Sequence, residues 1–248
     1  MRVIIIAAGY ASRLGDITKT TPKGLLDING KTILERQISL FKKNQINEII
    51  IITGPHKNFG IENILYLNDD NYAEHDVLGS LMAAKDKIEG KILTSYSDIL
   101  FEESILKEIL SFSGDIGIPI DLNWEKSYEG RTQHPKSEAD NVLIRNDKII
   151  KIKKNIEKTN DEDVIGEFLG PMILSEKGSK LFVDTFMKIQ KNHVGKFHNA
   201  PSFKKAYLTD MLQELIDLNI DVKPIFIEGN WCEIDTPQDL EKARKLFS

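Results

Sequence analysis

The sequence predicts an α/β fold: a mostly parallel sheet flanked by helices, with a small β insertion. Three observations carry this. The runs Val3–Ile6 and Ile49–Ile52 are apolar without alternation, as expected of strands covered on both faces. Segments of helical period then alternate with further strand-like runs, which is the pattern of a parallel sheet with crossover helices. Between Asp121 and Ile165 this rhythm stops and short alternating runs take over.

In chain order, Val3–Ile6 forms the first strand. Ile33, Leu34, Gln37, Ile38 and Phe41 share one helical face, and Ile49–Ile52 is a buried strand ending at Thr53-Gly54. Leu65–Leu67 reads as a short strand, Leu78–Ile88 as a helix, Ile92–Ser97 as a strand, Ser104–Phe112 as a helix and Ile116–Ile120 as a strand. Asn141–Ile144 and Lys148–Ile152 flank Arg145-Asn146-Asp147, which predicts a hairpin. Residues 153–163 read as a mobile polar loop, and Glu167–Ile173 as a strand. Helices follow over 177–190 and 208–218, while 191–207 lacks periodicity and reads as a loop near the site. No repeat or linker divides the chain, so residues 1–248 are expected to form one domain with 121–165 inserted.

Composition narrows the function. With 248 residues, 41% apolar and 29% charged, the chain matches a globular protein able to bury a large core. A net charge of −5 argues against a general binder of nucleic acid or anionic membrane. The single cysteine, Cys232, excludes an internal disulfide and suits a reducing cytoplasm. The first apolar run is too short for a signal peptide, and no stretch reaches transmembrane length. A cytoplasmic protein is expected. Its oligomeric state is left open between monomer and homodimer.

After the first strand come Ala7-Ala8-Gly9, then Arg13, Gly15 and Lys23. A strand that opens into small residues with cations behind presents backbone N–H groups to phosphates; an ordinary strand-to-helix turn with solvated cations is the plainer alternative. Neither GxGxxG nor GxxxxGK[ST] occurs. Asp98 follows the strand at Ile92–Ser97, where a capping role is also open. Thr236, Pro237 and Asp239 form a helix start, which leaves Asp235, just before it, unexplained. Mg²⁺ takes few carboxylates alongside phosphate oxygens and water, so Asp98 and Asp235 would suffice.

The string Ala7-Ala8-Gly9, Arg13-Leu14, Thr18, Pro22-Lys23, Leu25-Leu26 resembles the AAGxxxRLxxxTxxxPKxLL signature of nucleotidyltransferases that activate sugar phosphates, phosphocholine and phosphonates. Ser95 through Phe101, Gly166 through Gly170, Leu208-Thr209-Asp210 and Trp231 through Pro237 extend the resemblance from about residue 2 to 245. It points most to the phosphonate (2-aminoethylphosphonate-type) cytidylyltransferases, close to those acting on phosphocholine. The resemblance implies a Rossmann-like nucleotidyltransferase fold with the β insertion on the acceptor side. It also implies catalytic Lys23, Arg13, Asp98 and Asp235. Ala7, Ala8, Gly9, Ser80 and Asp98 would hold CTP together with Arg13 and Lys23, and Asp98 and Asp235 would hold Mg²⁺. Two departures stand out: Ser97-Asp98 replaces a Gly-Asp step, and His75-Asp76 replaces a usual pair of asparagines. The implied reaction transfers CMP from CTP to a small phosphonate, such as 2-aminoethylphosphonate or 2-hydroxyethylphosphonate, and releases pyrophosphate. Phosphocholine or a sugar 1-phosphate is the alternative acceptor; a catalytically inactive nucleotide-binding regulator is the alternative of another class.

On the acceptor side, Arg131 is a candidate anchor for the phosphonate, and Glu167 and Asp210 for an ammonium. Trp231, with Trp124 and Tyr128, could enclose a quaternary ammonium. Histidines 56, 75, 134, 193 and 198 lack metal spacing, and most read as solvated loop positions. Cys232 reads as a packing residue.

Overall fold

The computed structural model describes residues 1–9, 14–15 and 21–248. Its strands and helices are β1 (Arg2–Ala7), β2 (Asp27–Ile28), β3 (Lys31–Thr32), α1 (Ile33–Lys43), β4 (Glu48–Thr53), β5 (Leu65–Asn68), α2 (Val77–Ala83), β6 (Ile92–Tyr96) and β7 (Ile99–Phe101). There follow α3 (Glu103–Ser111), β8 (Ile116–Asp121), β9 (Asp140–Arg145), β10 (Lys148–Lys154), β11 (Val164–Phe168), β12 (Met172–Leu174), α4 (Glu176–Asn192), α5 (Leu208–Asp217), β13 (Val222–Ile227), β14 (Trp231–Glu233) and α6 (Pro237–Leu246).

The sheet is mixed and mostly parallel. β1 lies between β4 and β6, parallel to both, and β5 continues from β4. β12 runs antiparallel between β6 and β8, and β13 pairs in parallel with the other edge of β8. β1 explains the unbroken apolar runs: Ile4 and Ile6 join one core while Val3 and Ile5 join another across the sheet. Every second residue faces the opposite side, and both sides are dry.

The 121–165 region adds the predicted hairpin, β9 against β10, joined to the main sheet through β11. Four details differ from the sequence reading. The helix at 78–88 stops at Ala83 and passes into a short 3-10 turn. The strand at 167–173 breaks into β11 and β12, both on the same edge of β8. β13, with Lys223 and Pro224 among its six residues, escapes an apolar-run search; on an outer strand a proline disrupts no second ladder.

The fourth concerns the polar segment 153–163. Its first two residues belong to β10, and the rest is fastened at Asp163, which is 1% exposed. That carboxylate accepts from Arg145 Nε and from the backbone N–H groups of Thr159 and Asn160. Arg145 first, and the Thr159 and Asn160 donors with it, hold the Asp163 carboxyl well below the usual range.

Candidate active site

A cleft of about 820 Å³ opens at the carboxyl ends of β1 and β6, where a parallel sheet gathers ligands. Two remote segments meet at its floor. β7 pairs antiparallel with β14, and Ile234 N donates to Asp98 O at 2.8 Å. Asp98 and Asp235 therefore flank one short ladder although 137 positions separate their numbers. Lys23 begins a 3-10 turn after Pro22 and reaches between them. Its Nζ lies 2.7 Å from Asp98 Oδ2 and 2.5 Å from Asp235 Oδ1. The turn packs tightly: a Cβ on Gly24 would stand 2.7 Å from Leu34 Cδ1.

Burial opposes the charge on Lys23, but Asp98 and Asp235 outweigh it and hold the ammonium protonated well above its usual range. The same crowding acts in reverse on Glu233, where burial, then Asp235 and Asp98, push the carboxyl well above the usual range. Asp98 Oδ1 is buried with no hydrogen-bond partner among the described residues. Asp235 is set by the start of α6. Thr236 and Asp239 form a capping box, and Asp239 Oδ2 also accepts from Asp235 N at 3.2 Å.

Just after β1, Ala8 and Gly9 line the cleft while Ala7 does not. A Cβ on Gly54 would lie 2.5 Å from Ala8 O, so that glycine permits the close approach of β4 to this turn. Arg13 and Thr18 lie outside the described residues. Ser80 lines the cleft, but its hydroxyl donates to Asp69 Oδ2 at 2.9 Å. His75 Nε2 contacts Asp69 Oδ1 at 3.1 Å, and its ring covers Gly79, where a Cβ would clash. The His75-Asp76 departure thus comes with its own packing partner.

Glu167, also in the cleft lining, is 4% exposed. Its Oε1 accepts from Tyr128 Oη at 2.5 Å, and Oε2 is buried without a hydrogen-bond partner among the described residues. Burial pushes its carboxyl up to about 8. Trp231 also lines the cleft, its Nε1 donating to Asp121 Oδ2 at 2.9 Å. Trp124, by contrast, is core: it packs edge-on to Tyr128 and donates to Ile165 O.

Three expectations change here. Arg131 is not in the cleft lining; its Nε donates to Asp239 Oδ1 at 2.7 Å and the guanidinium covers the Tyr128 ring. Asp210 borders the cleft, but its oxygens accept from Asn199 N and Tyr207 N, which makes it a helix cap and loop tether. His134, read as a solvated loop residue, is 4% exposed with Nδ1 3.2 Å from Asp235 Oδ2. No spacing signal in the sequence marks that contact. Cys232 is buried as expected, and burial pushes its thiol up to about 12, so it is no nucleophile at neutral pH.

Residues 3–121 match the MobA-like NTP transferase domain. The CTP:phosphoglutamine cytidylyltransferase of Campylobacter jejuni is 28% identical over 255 residues, covering 97% of this chain and 98% of that protein. The choline-phosphate cytidylyltransferase of Streptococcus pneumoniae is 31% identical over 117 residues, 44% of this chain and 50% of that one. Among solved structures, the inositol-1-phosphate CTP transferase from T. maritima superposes with a TM-score of 0.73 at 21% identity, covering 99% of this chain and 94% of that one; at that identity the likeness establishes the fold. No helix among the described residues is long and apolar enough to cross a membrane.

Proposed function

We propose that this nucleotidyltransferase, which carries a MobA-like NTP transferase domain on the sugar-phosphate nucleotidyltransferase fold, transfers CMP from CTP to a small phosphorylated acceptor and releases pyrophosphate. Within that class we favour a phosphonate acceptor. The observation that carries the reading is the Lys23 ammonium held between Asp98 and Asp235 at the cleft floor. The choice of CTP is supported by the cytidylyltransferases of C. jejuni and S. pneumoniae.

An anionic oxygen of the acceptor attacks the α-phosphorus of CTP, and pyrophosphate departs in line. That oxygen is already ionised near neutral pH, so no side chain need act as base. Catalysis is then a matter of bringing two anions together and stabilising the charge that grows on the leaving group. The turn at Ala8 and Gly9 offers close backbone approach to phosphate, and Lys23 supplies positive charge to the α-phosphoryl group. Arg13 is assigned to the β- and γ-phosphates on its place in the motif, where a guanidinium's paired donors suit phosphate oxygens. Glu167 and Trp231 border the acceptor half.

The two aspartates fit a divalent cation. Both are hard oxygen donors, they already bracket one cationic group, and Asp98 Oδ1 is a buried acceptor without a partner among the described residues. Mg²⁺ bound there would neutralise phosphate charge and strengthen the electrophile. The reading treats residues 1–248 as one cytoplasmic catalytic domain, with 121–165 on the acceptor side.

The test is a panel. Each nucleoside triphosphate with Mg²⁺ is offered to 2-aminoethylphosphonate, 2-hydroxyethylphosphonate, phosphocholine, inositol 1-phosphate and glucose 1-phosphate, followed by phosphorus NMR and pyrophosphate release. A new phosphonate–phosphate anhydride formed from CTP alone is the expected result. Turnover of a phosphate ester instead keeps the mechanism and discards the phosphonate; bound CTP with no turnover on any acceptor discards the activity.

A further inference from the structure

The insertion and β11 bring three carboxylates to the cleft lining: Glu138, Asp140 and Glu167. Two of them are taken. Glu138 Oε2 accepts from Lys154 Nζ at 2.6 Å. The Glu167 carboxyl is sealed, with Oε1 on Tyr128 and Oε2 buried. Asp140 differs from both. It begins β9 two residues before Val142, which enters the same core as Ile6 and Phe168. Residues two apart share one face of a strand, so Asp140 stands on the Val142 face, where that core gives way to the cleft. Glu167 lies opposite Asn141 in register and so on the other face. Among the described residues no donor reaches the half-buried Asp140 carboxylate.

Its charge is left over. Lys154 faces Asp140 across the β9–β10 ladder, but its ammonium is engaged by Glu138, so two carboxylates share one cation. Burial pushes the Asp140 carboxyl up to about 6 against the pull of Lys154, with Asp210 and Glu138 adding to the rise. At neutral pH it is therefore ionised, whereas Glu167, at about 8, is mostly neutral. A carboxylate withdrawn from water is unfavourable unless a cation meets it. Tyr96 links this group to the cleft floor. It lines the cleft, and its ring lies against Gly170, where a Cβ would stand 2.6 Å from Cδ2. Burial, then Asp140 and Asp98, hold its phenol well above the usual range, which places Tyr96 in the field of both aspartates.

We propose that Asp140 is a specificity-determining residue, whose carboxylate binds a cationic nitrogen at the far end of the acceptor while the acceptor's phosphonate meets Lys23 and the cation site at Asp98, with Tyr96 between the two. The inference rests on the phosphonate-acceptor reading and narrows it to zwitterions, 2-aminoethylphosphonate ahead of 2-hydroxyethylphosphonate. It moves the ammonium contact expected of Glu167 and Asp210 to a residue whose oxygens are open.

Calorimetry tests this on the full chain, with Mg²⁺ and a non-hydrolysable CTP analogue, in wild type, D140N, D140E and E167Q. The ligands are 2-aminoethylphosphonate and propylphosphonate, which has the same length and no charge at its far end. Wild type should prefer the amine about 10- to 100-fold, the range for a hydrogen bond to a charged group. D140N should lose that preference with its affinity for propylphosphonate unchanged, and D140E should keep part of it. In steady-state assays KM for the amine should rise by the same factor in D140N, with kcat and KM for CTP little changed. Asparagine keeps the shape of aspartate and removes the charge, so D140N should melt no lower than wild type; if it fails to fold, the wild-type comparison and D140E decide. No preference in wild type overturns the proposal, as does a folded D140N that retains it. A preference lost in E167Q and kept in D140N assigns the contact to Glu167 instead. If neither phosphonate binds, the phosphonate reading falls, and 2-aminoethyl phosphate against propyl phosphate decides the proposal by the same comparison; no binding there overturns it too. Preference intact without turnover overturns the activity and leaves the contact standing.

Discussion

Replacing Lys23 with methionine keeps much of the stem and deletes the ammonium that separates two carboxylates. The side chains of Lys23, Asp98 and Asp235 are 13%, 20% and 6% exposed, so solvent screens them little. Breaking a buried pair by removing one partner costs about 3–5 kcal/mol. The partial exposure of Asp98 argues for the lower figure, and at about 2–4 °C per kcal/mol for a chain of this size K23M should melt about 6–12 °C below wild type. The pH dependence has a definite sign. Lys23 is raised above its ordinary value of 10.5, so its stabilisation is fully present below that pH and is lost as pH climbs through the folded value. The deficit of K23M should stay level from pH 6 to 9 and shrink only above about 10.5. Turnover should fall about 10²- to 10³-fold, as when a donor to a developing charge is removed. Calorimetry and pyrophosphate release measure both. A K23M protein with the wild-type melting temperature and more than about a tenth of its turnover would refute the account of the cleft floor.

Glu167 is raised from 4.5 to about 8 by burial, so its contribution is present below pH 4.5 and is lost as pH rises toward 8. E167Q should therefore gain on wild type over that interval, by about a few kcal/mol, and a flat difference in urea melts would contradict the burial argument. D210A removes a capping box and a tether and should cost about 1–2 kcal/mol without moving KM for the acceptor; a changed acceptor KM at unchanged stability would restore Asp210 to the binding site. G54A drives a methyl toward Ala8 O. Relieving that contact costs about 1–3 kcal/mol and should raise KM for CTP; an unaltered CTP affinity would remove the Ala8 turn from the nucleotide site.

The strands that hold the sheet together were legible because burial on two faces leaves an unbroken apolar run, as in β1 and β4. What escaped depends on long-range pairing. β7 and β14 have three residues each, too few for any period to show, and their pairing rather than their composition brings Asp98 to Asp235. Those aspartates were legible through the motifs around them, and Lys23 through its own. His134 and Arg131 were not: a loop histidine looks the same in sequence whether it meets water or a buried carboxylate. For Asp210 the converse holds: it borders the cleft as expected, but its two oxygens are taken by backbone groups that only the folded loop brings near.

The β7–β14 ladder also says when the site comes into being. Lys23 meets Asp98 across 75 positions and Asp235 across 212, so the floor is closed by contacts of very high sequence separation. Closing such loops is entropically costly and rewarded late. The core of β1, β4 and β6 can be assembled while Asp235 is still far away, which leaves a folded-looking molecule with no place for a cation. In pulse-labelled hydrogen exchange during refolding, protection at Ile99–Phe101 and Trp231–Glu233 should rise together and after that of Val3–Ile6. Competence would then be the last property the chain acquires.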